Sequence, residues 1–211
     1  MHSTVVMNPP QKPSVEVPAS TSGTHSVWGT SIRFTLITVL LLGLGYPLLL
    51  TGLAKLIFPH QADGSLITRN GQVIGSELLA QSFTSDRYFH PRESAAGNGY
   101  DATSSGGTNL AQSNAKLAQR IQADIDKLQK DNPGKPVPID MVTTSASGLD
   151  PDITPDNAYY QAPRVAKARG LSEDAMRALI DKHIEGRTLG LLGEPRINVL
   201  ELNLDLDTVS K

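Results

Sequence analysis

The sequence predicts an α+β protein: one N-terminal transmembrane helix followed by a single mixed soluble domain. Two observations predict it. A long uncharged apolar run lies in the first third of the chain, and the remainder mixes strand-like and helix-like periodicities with no regular βαβ rhythm and no internal repeat. At 211 residues, 39% hydrophobic and 19% charged, the chain has the composition of one globular domain plus extras. The net charge is −2, and 20 acidic against 16 basic side chains follow residue 57, so no basic surface suited to nucleic acid is implied. The absence of cysteine excludes disulfides, thiolate metal sites and a cysteine nucleophile.

Residues 1–32 carry Pro9, Pro10, Pro13 and Pro18 among Ser and Thr, with little to bury before Val27 and Trp28, and read as a disordered tail. Residues 33–57 form the span. Phe34 to Ala54 is a run of 21 residues with no ionisable side chain except Tyr46. As a helix it would reach about 31 Å, enough to cross the hydrocarbon core. Gly52 and Ala54 would suit a signal-peptidase site, but the run exceeds a signal h-region and too much chain precedes it, so an uncleaved anchor is expected. Arg33 and Lys55 bracket the span. Lys12 and Arg33 before it balance Lys55 and Arg69 after it, so the positive-inside rule leaves orientation open. Pro47 deprives the Gly43 carbonyl of its partner, and a kink is expected there. Ser31, Thr38, Gly45 and Gly52 recur at intervals of seven, so that Thr38, Gly45 and Gly52 could line a seam for a partner helix. Glycine tolerance in membrane helices explains the same stripe.

Residues 58–211 make the soluble domain. "SLITRNGQVIG" predicts two short strands around a type I′ Asn70-Gly71 turn, and "SELLAQSF" a short helix. From Leu110 to Lys130, Leu117, Ile121, Ile125 and Leu128 share one helical face, ended by Asp131-Asn132-Pro133-Gly134. "IDMVTTSASG" reads as a strand. Thr154 as N-cap with Pro155 at N1 opens a helical region closed by Gly170, with Pro163 bending it. Ser172 caps a further helix, stapled by Leu171 and Met176, that runs to about Glu185. "VLELNLDLD" alternates Leu200, Leu202, Leu204 and Leu206 with polar residues and predicts a half-buried strand.

No G-x-S-x-G, H-E-x-x-H or Walker lysine is present. "GNGYDA" matches the letters of a dinucleotide loop but lacks the flanking strand and helix. His90, Arg92 and Glu93 could together bind an anion or serve as structural groups. Asp150, Asp152 and Asp156 surround two prolines and read as caps and turns.

"GYPLLLTGLAKLIFP", "FTSDRYFHPRESA", "SSGGTNLAQSN", "SASGLDPDITPDNAYYQAPRVAKARGL" and "LGEPRINVLELNLDL" together resemble the C subunit of the bacterial Kdp-type potassium-transporting ATPase, in family order from about Ile32 to Leu206. The resemblance implies a single-pass subunit of the cell inner (plasma) membrane, accessory to an ATP-driven high-affinity potassium uptake complex and needed for its assembly and activity. It implies two protein partners, a potassium-translocating channel-like subunit and a P-type ATP-hydrolysing subunit, besides membrane lipid. It implies no catalytic residue and no cofactor of its own. The family is described as a catalytic chaperone that raises ATP affinity in a ternary complex, for which Ser104, Ser105, Gly106, Gly107 and Asn109 would be the nucleotide loop. It is also described as holding its large domain outside the membrane, where ATP is absent. No Lys or Arg lies between Arg92 and Lys116, which favours a turn feeding the helix that begins near Ser113, with positive φ at its glycines. Two other classes fit the residues less well: a membrane-anchored extracytoplasmic hydrolase, and a pilin-like anchored structural protein.

Overall fold

The structure, a computed structural model, describes residues 27–209. Most of the segment read as a disordered tail lies outside them; its last residues, from Val27, are already helical. The chain divides after Ala54 into two compact units.

In the first unit, α1 (Val27–Thr38) runs into a π-helical segment, Val39–Gly45, and then into α2 (Tyr46–Ile57). Together they form one apolar helix of 31 residues. The π segment ends two residues before Pro47. Proline cannot donate to Gly43, and its ring crowds that carbonyl; the backbone widens, and Tyr46 N–H donates to the Leu41 carbonyl five residues back. The expected disturbance is therefore a change of helical register.

The second unit opens with a four-residue helix, α3 (Pro59–Ala62), and a hairpin of β1 (Leu66–Arg69) and β2 (Gln72–Ser76). Asn70 and Gly71 have φ of 53° and 78°, the two positive values a type I′ turn requires. "SELLAQSF" is irregular instead of helical: the Ser76 hydroxyl takes the Leu78 N–H, and Ala80 N–H turns to the Leu149 carbonyl. The next helix, α4 (Ala115–Asp131), starts five residues after Leu110, because Asn114 caps it by accepting from Lys116 N–H.

"IDMVTTSASG" forms a 3₁₀ turn (Ile139–Met141) and a serine-rich loop instead of a strand. Ser145 and Ser147 hydroxyls accept from the N–H groups of Gly148 and Leu149, so local side chains occupy what a neighbouring strand would need. Four residues after Gly148 comes β3 (Asp152–Ile153), paired antiparallel with β4 (Ile197–Asn198). Helix α5 (Pro155–Arg169) has its expected cap: Thr154 Oγ1 accepts from Asn157 N–H, and Gly170 at φ 68° ends it. It continues through Pro163. Ser172 caps α6 (Glu173–Lys182), which stops at His183, slightly short of Glu185.

"VLELNLDLD" is α7 (Val199–Val209), a helix where alternation predicts a strand. The same letters place Val199, Leu202, Asn203 and Leu206 at helical spacing, and those are buried. Asn198 Oδ1 accepts from Leu200 and Glu201 N–H, opening the helix. The core lies among α5, α6 and α7, where Val165, Met176, Ile180, Leu202 and Leu206 are completely or almost completely buried together with Phe89.

Candidate functional site

The loop Ser104–Asn109 lies along the loop 144–148. Gly106 N–H donates to the Ser147 carbonyl at 2.9 Å, and Ser105 Oγ donates to the same oxygen at 2.9 Å. Thr108 and Thr144 hydroxyls face each other at 3.5 Å. A Cβ on Gly107 would stand 2.9 Å from the Ala146 carbonyl oxygen, whereas one on Gly106 would meet nothing. Neither glycine has positive φ; that conformation falls on Asn109, at 53°. The expectation of left-handed glycines is thus corrected: Gly107 is needed for close backbone approach. The N–H of Gly106, which a phosphate cradle would need, is committed to protein. Ser104, Ser105 and Asn109 are exposed.

The loop 144–148 is held in turn by the segment 92–96. Ser145 N–H donates to the Glu93 carbonyl, and Ser94 Oγ donates to the Gly148 carbonyl at 2.6 Å. Gly148, at φ 68°, leaves no room for a side chain, since a Cβ would lie 2.7 Å from Ala96 and from the Gly106 carbonyl. "GNGYDA" is a turn between irregular segments, with Gly99 N–H bonded to the Ala96 carbonyl.

His90, Arg92 and Glu93 diverge. The Arg92 guanidinium pairs with Asp150 at 2.9 Å, and Glu93 pairs with Arg120 of α4 at 2.7 Å. His90 bonds through Nε2 to the Ser85 carbonyl, and burial beside Arg164 lowers its pKa. Burial, reinforced by Asp124, raises that of Glu93 against the opposing pull of Arg120. Asp150 accepts from Asp152 N–H and Asp156 sits in the first turn of α5, roles of turn and cap.

Sequence reading missed the side chains that hold residues 86–90. This stretch has no regular structure, yet five successive carbonyls are each captured: Asp86 and Tyr88 by Arg164, Arg87 by Arg169, Phe89 by Asn203 and His90 by Gln161. Gln161 and Asn203 also accept the N–H groups of His90 and Phe89, both at 2.8 Å. Two amide side chains thereby replace the strand neighbours this segment lacks. The available signal was Asn203, an uncharged polar residue between two leucines of a helical stripe. A cleft of about 470 Å³ opens between this segment, α4 and α5.

In the membrane helix, Gly45 is the last residue of the π segment and Gly52 lies about two turns further along, in α2, while the π segment separates Thr38 from Gly45. One extra residue in a turn rotates what precedes it by about a quarter of a revolution, so Thr38 leaves the stripe.

The family model described as "K+-transporting ATPase, c chain" matches residues 28–208. A potassium-transporting ATPase KdpC subunit of Koribacter versatilis is 58% identical over 178 residues, covering 84% of this chain and 92% of the relative. The subunit of the same name from Acidobacterium capsulatum is 59% identical, covering 84% and 96%. That of Methylobacterium nodulans is 53% identical, covering 81% and 91%. A family match across the apolar helix and the whole described domain, with relatives of this identity, leaves one assignment: the chain belongs to the KdpC family, the c chain of the K+-transporting ATPases.

Proposed function

We propose that this chain is a non-catalytic, single-pass subunit of an ATP-driven potassium uptake complex of the inner (plasma) membrane, with its folded domain on the extracytoplasmic side. The observation that carries the reading is the family match across residues 28–208, joined to a helix long and apolar enough to span a bilayer. Its partners in this reading are a potassium-translocating channel-like subunit and a P-type subunit that hydrolyses ATP. The chain supplies assembly and activity to them and turns over nothing itself. Its polar side chains favour this division of labour: Arg92 and Arg120 are paired to carboxylates, and the Gly106 amide of the loop is paired to the Ser147 carbonyl.

Co-expression with both partner subunits and purification through a tag on this chain tests the reading. All three proteins are expected in one complex whose potassium-dependent ATP hydrolysis disappears when this chain is omitted. Failure to recover partners, or ATP turnover by the full chain alone, overturns it. Side is tested separately with a Ser105→Cys variant, since the protein has no other cysteine. Labelling in intact cells by a membrane-impermeant thiol reagent is expected. Protection until the membrane is opened would instead place the loop with ATP and restore Ser104 to Asn109 as a nucleotide contact.

A further inference from the structure

Between α6 and β4 the chain leaves the core as a hairpin arm. Glu185 and Arg196 exchange both backbone hydrogen bonds, at 2.8 and 3.0 Å, and Thr188 and Leu192 do the same at 2.9 and 3.0 Å. Every residue from 185 to 194 is exposed. At the tip, Leu189, Leu191 and Leu192 are 88%, 81% and 63% exposed. Leu189 also has φ of 54°, a left-handed conformation in which its Cβ crowds the backbone, followed by Gly190 at 73°. An aliphatic side chain held in a disfavoured conformation and pushed into water gains nothing from the isolated domain.

The arm itself, residues 185–196, carries two acidic and two basic side chains and no net charge. Arg196 pairs with Glu185 at 2.7 Å and with Asp152 of β3 at 3.1 Å, and Arg187 pairs with Glu194 at 2.6 Å. We propose that the 188–192 tip is a plug that seats in an uncharged apolar socket on a protein subunit of the transport complex; this rests on the function proposed above. Charge selects the occupant. A loop that wedges into a lipid surface carries unpaired Lys or Arg and interfacial Trp or Tyr. Both arginines of this arm are neutralised by acids, and no aromatic residue lies between 185 and 196. A second copy fits poorly, because two leucine triplets fall short of the roughly 1,000 Å² that a stable dimer interface needs. A subunit held in the same membrane requires less, since the anchor already supplies a high local concentration.

The test uses the full chain in the co-expressed complex. Leu191→Cys, modified with a benzophenone maleimide and irradiated, is expected to form an adduct with a partner subunit. A variant combining Leu189→Gly, Leu191→Ser and Leu192→Ser deletes the plug while relieving the strain at residue 189. It is expected to melt no lower than the wild-type chain alone, yet to retain partners about tenfold less well. Adducts only to lipid or to a second copy, or undiminished partner retention by the triple variant, overturn the plug while leaving the subunit assignment standing. Loss of partners from the wild-type chain itself overturns both.

Discussion

Asn203 of α7 binds both polar groups of the Phe89 peptide backbone: its Oδ1 accepts from Phe89 N–H at 2.8 Å and its Nδ2 donates to the Phe89 carbonyl at 2.9 Å. Asn203 is 2% exposed and Phe89 fully buried, so water cannot take over either bond. Asn203→Ala therefore strands two buried backbone groups and is expected to cost about 2–4 kcal/mol. Denaturant unfolding of the full chain in detergent measures it. A loss under ~1 kcal/mol would show that Phe89 finds other partners.

Gly106 and Gly107 are neighbours with opposite expectations. Gly107→Ala forces a Cβ to within 2.9 Å of the Ala146 carbonyl and is expected to destabilise by about 1–3 kcal/mol. Gly106→Ala meets no atom and should be neutral or slightly stabilising, because alanine narrows the unfolded ensemble. Both variants, assayed in the complex, are expected to leave apparent ATP affinity unchanged. Weaker ATP affinity in the stable Gly106→Ala variant would establish a nucleotide loop.

Asp205 links α7 to α6. Hydrogen bonds from Lys182 and then His183 lower its pKa from 3.8 to about 2. A depressed folded-state pKa means that the unfolded chain takes up the proton first, so the link stabilises the fold above about pH 4 and is lost as pH falls toward 2. Lys182 is largely exposed, which limits the effect to about 1 kcal/mol or less. Asp205→Asn should melt below wild type at pH 7, and the two curves should converge near pH 2. A gap that persists at low pH would assign the loss to packing.

The membrane stripe now predicts unequal contributions. Gly45→Leu with Gly52→Leu is expected to weaken the complex while leaving membrane insertion intact, because Gly45 directly precedes α2 and Gly52 follows it about two α-helical turns later on the same side. Thr38→Leu, displaced by the π segment, should have less effect. Equal losses from Thr38→Leu, or full partner recovery from the double variant, would remove the seam.

Elements whose signals are local were legible in advance. Asn70-Gly71 dictates a type I′ turn through its own φ preferences, and Thr154-Pro155 and Ser172 cap the helices that follow them. Gly170 ends α5 in the left-handed conformation that glycine tolerates. The glycine loop reads locally as a turn feeding a helix, whereas residues 105–110 run as irregular chain beside residues 144–148 and the positive φ falls on Asn109; what constrains Gly107 is the Ala146 carbonyl, some forty residues away in sequence.

By itself, then, the sequence determined the apolar helix, the hairpin and the capped helices α5 and α6, because each depends on composition or on residues a few positions apart, and the family, through blocks of residues in family order along the chain. Tertiary structure decided what local pattern left double-valued. Val199 to Val209 satisfies strand alternation and helical spacing alike, and packing of Val199, Leu202 and Leu206 against Val165, Met176 and Ile180 selects the helix. Only in that helix does Asn203 face Phe89, and only with Gln161 and the two arginines of α5 in place are the carbonyls of residues 86–90 satisfied. Those bonds join residues about 70 to 115 positions apart, a separation at which no periodicity in the chain reports a partner.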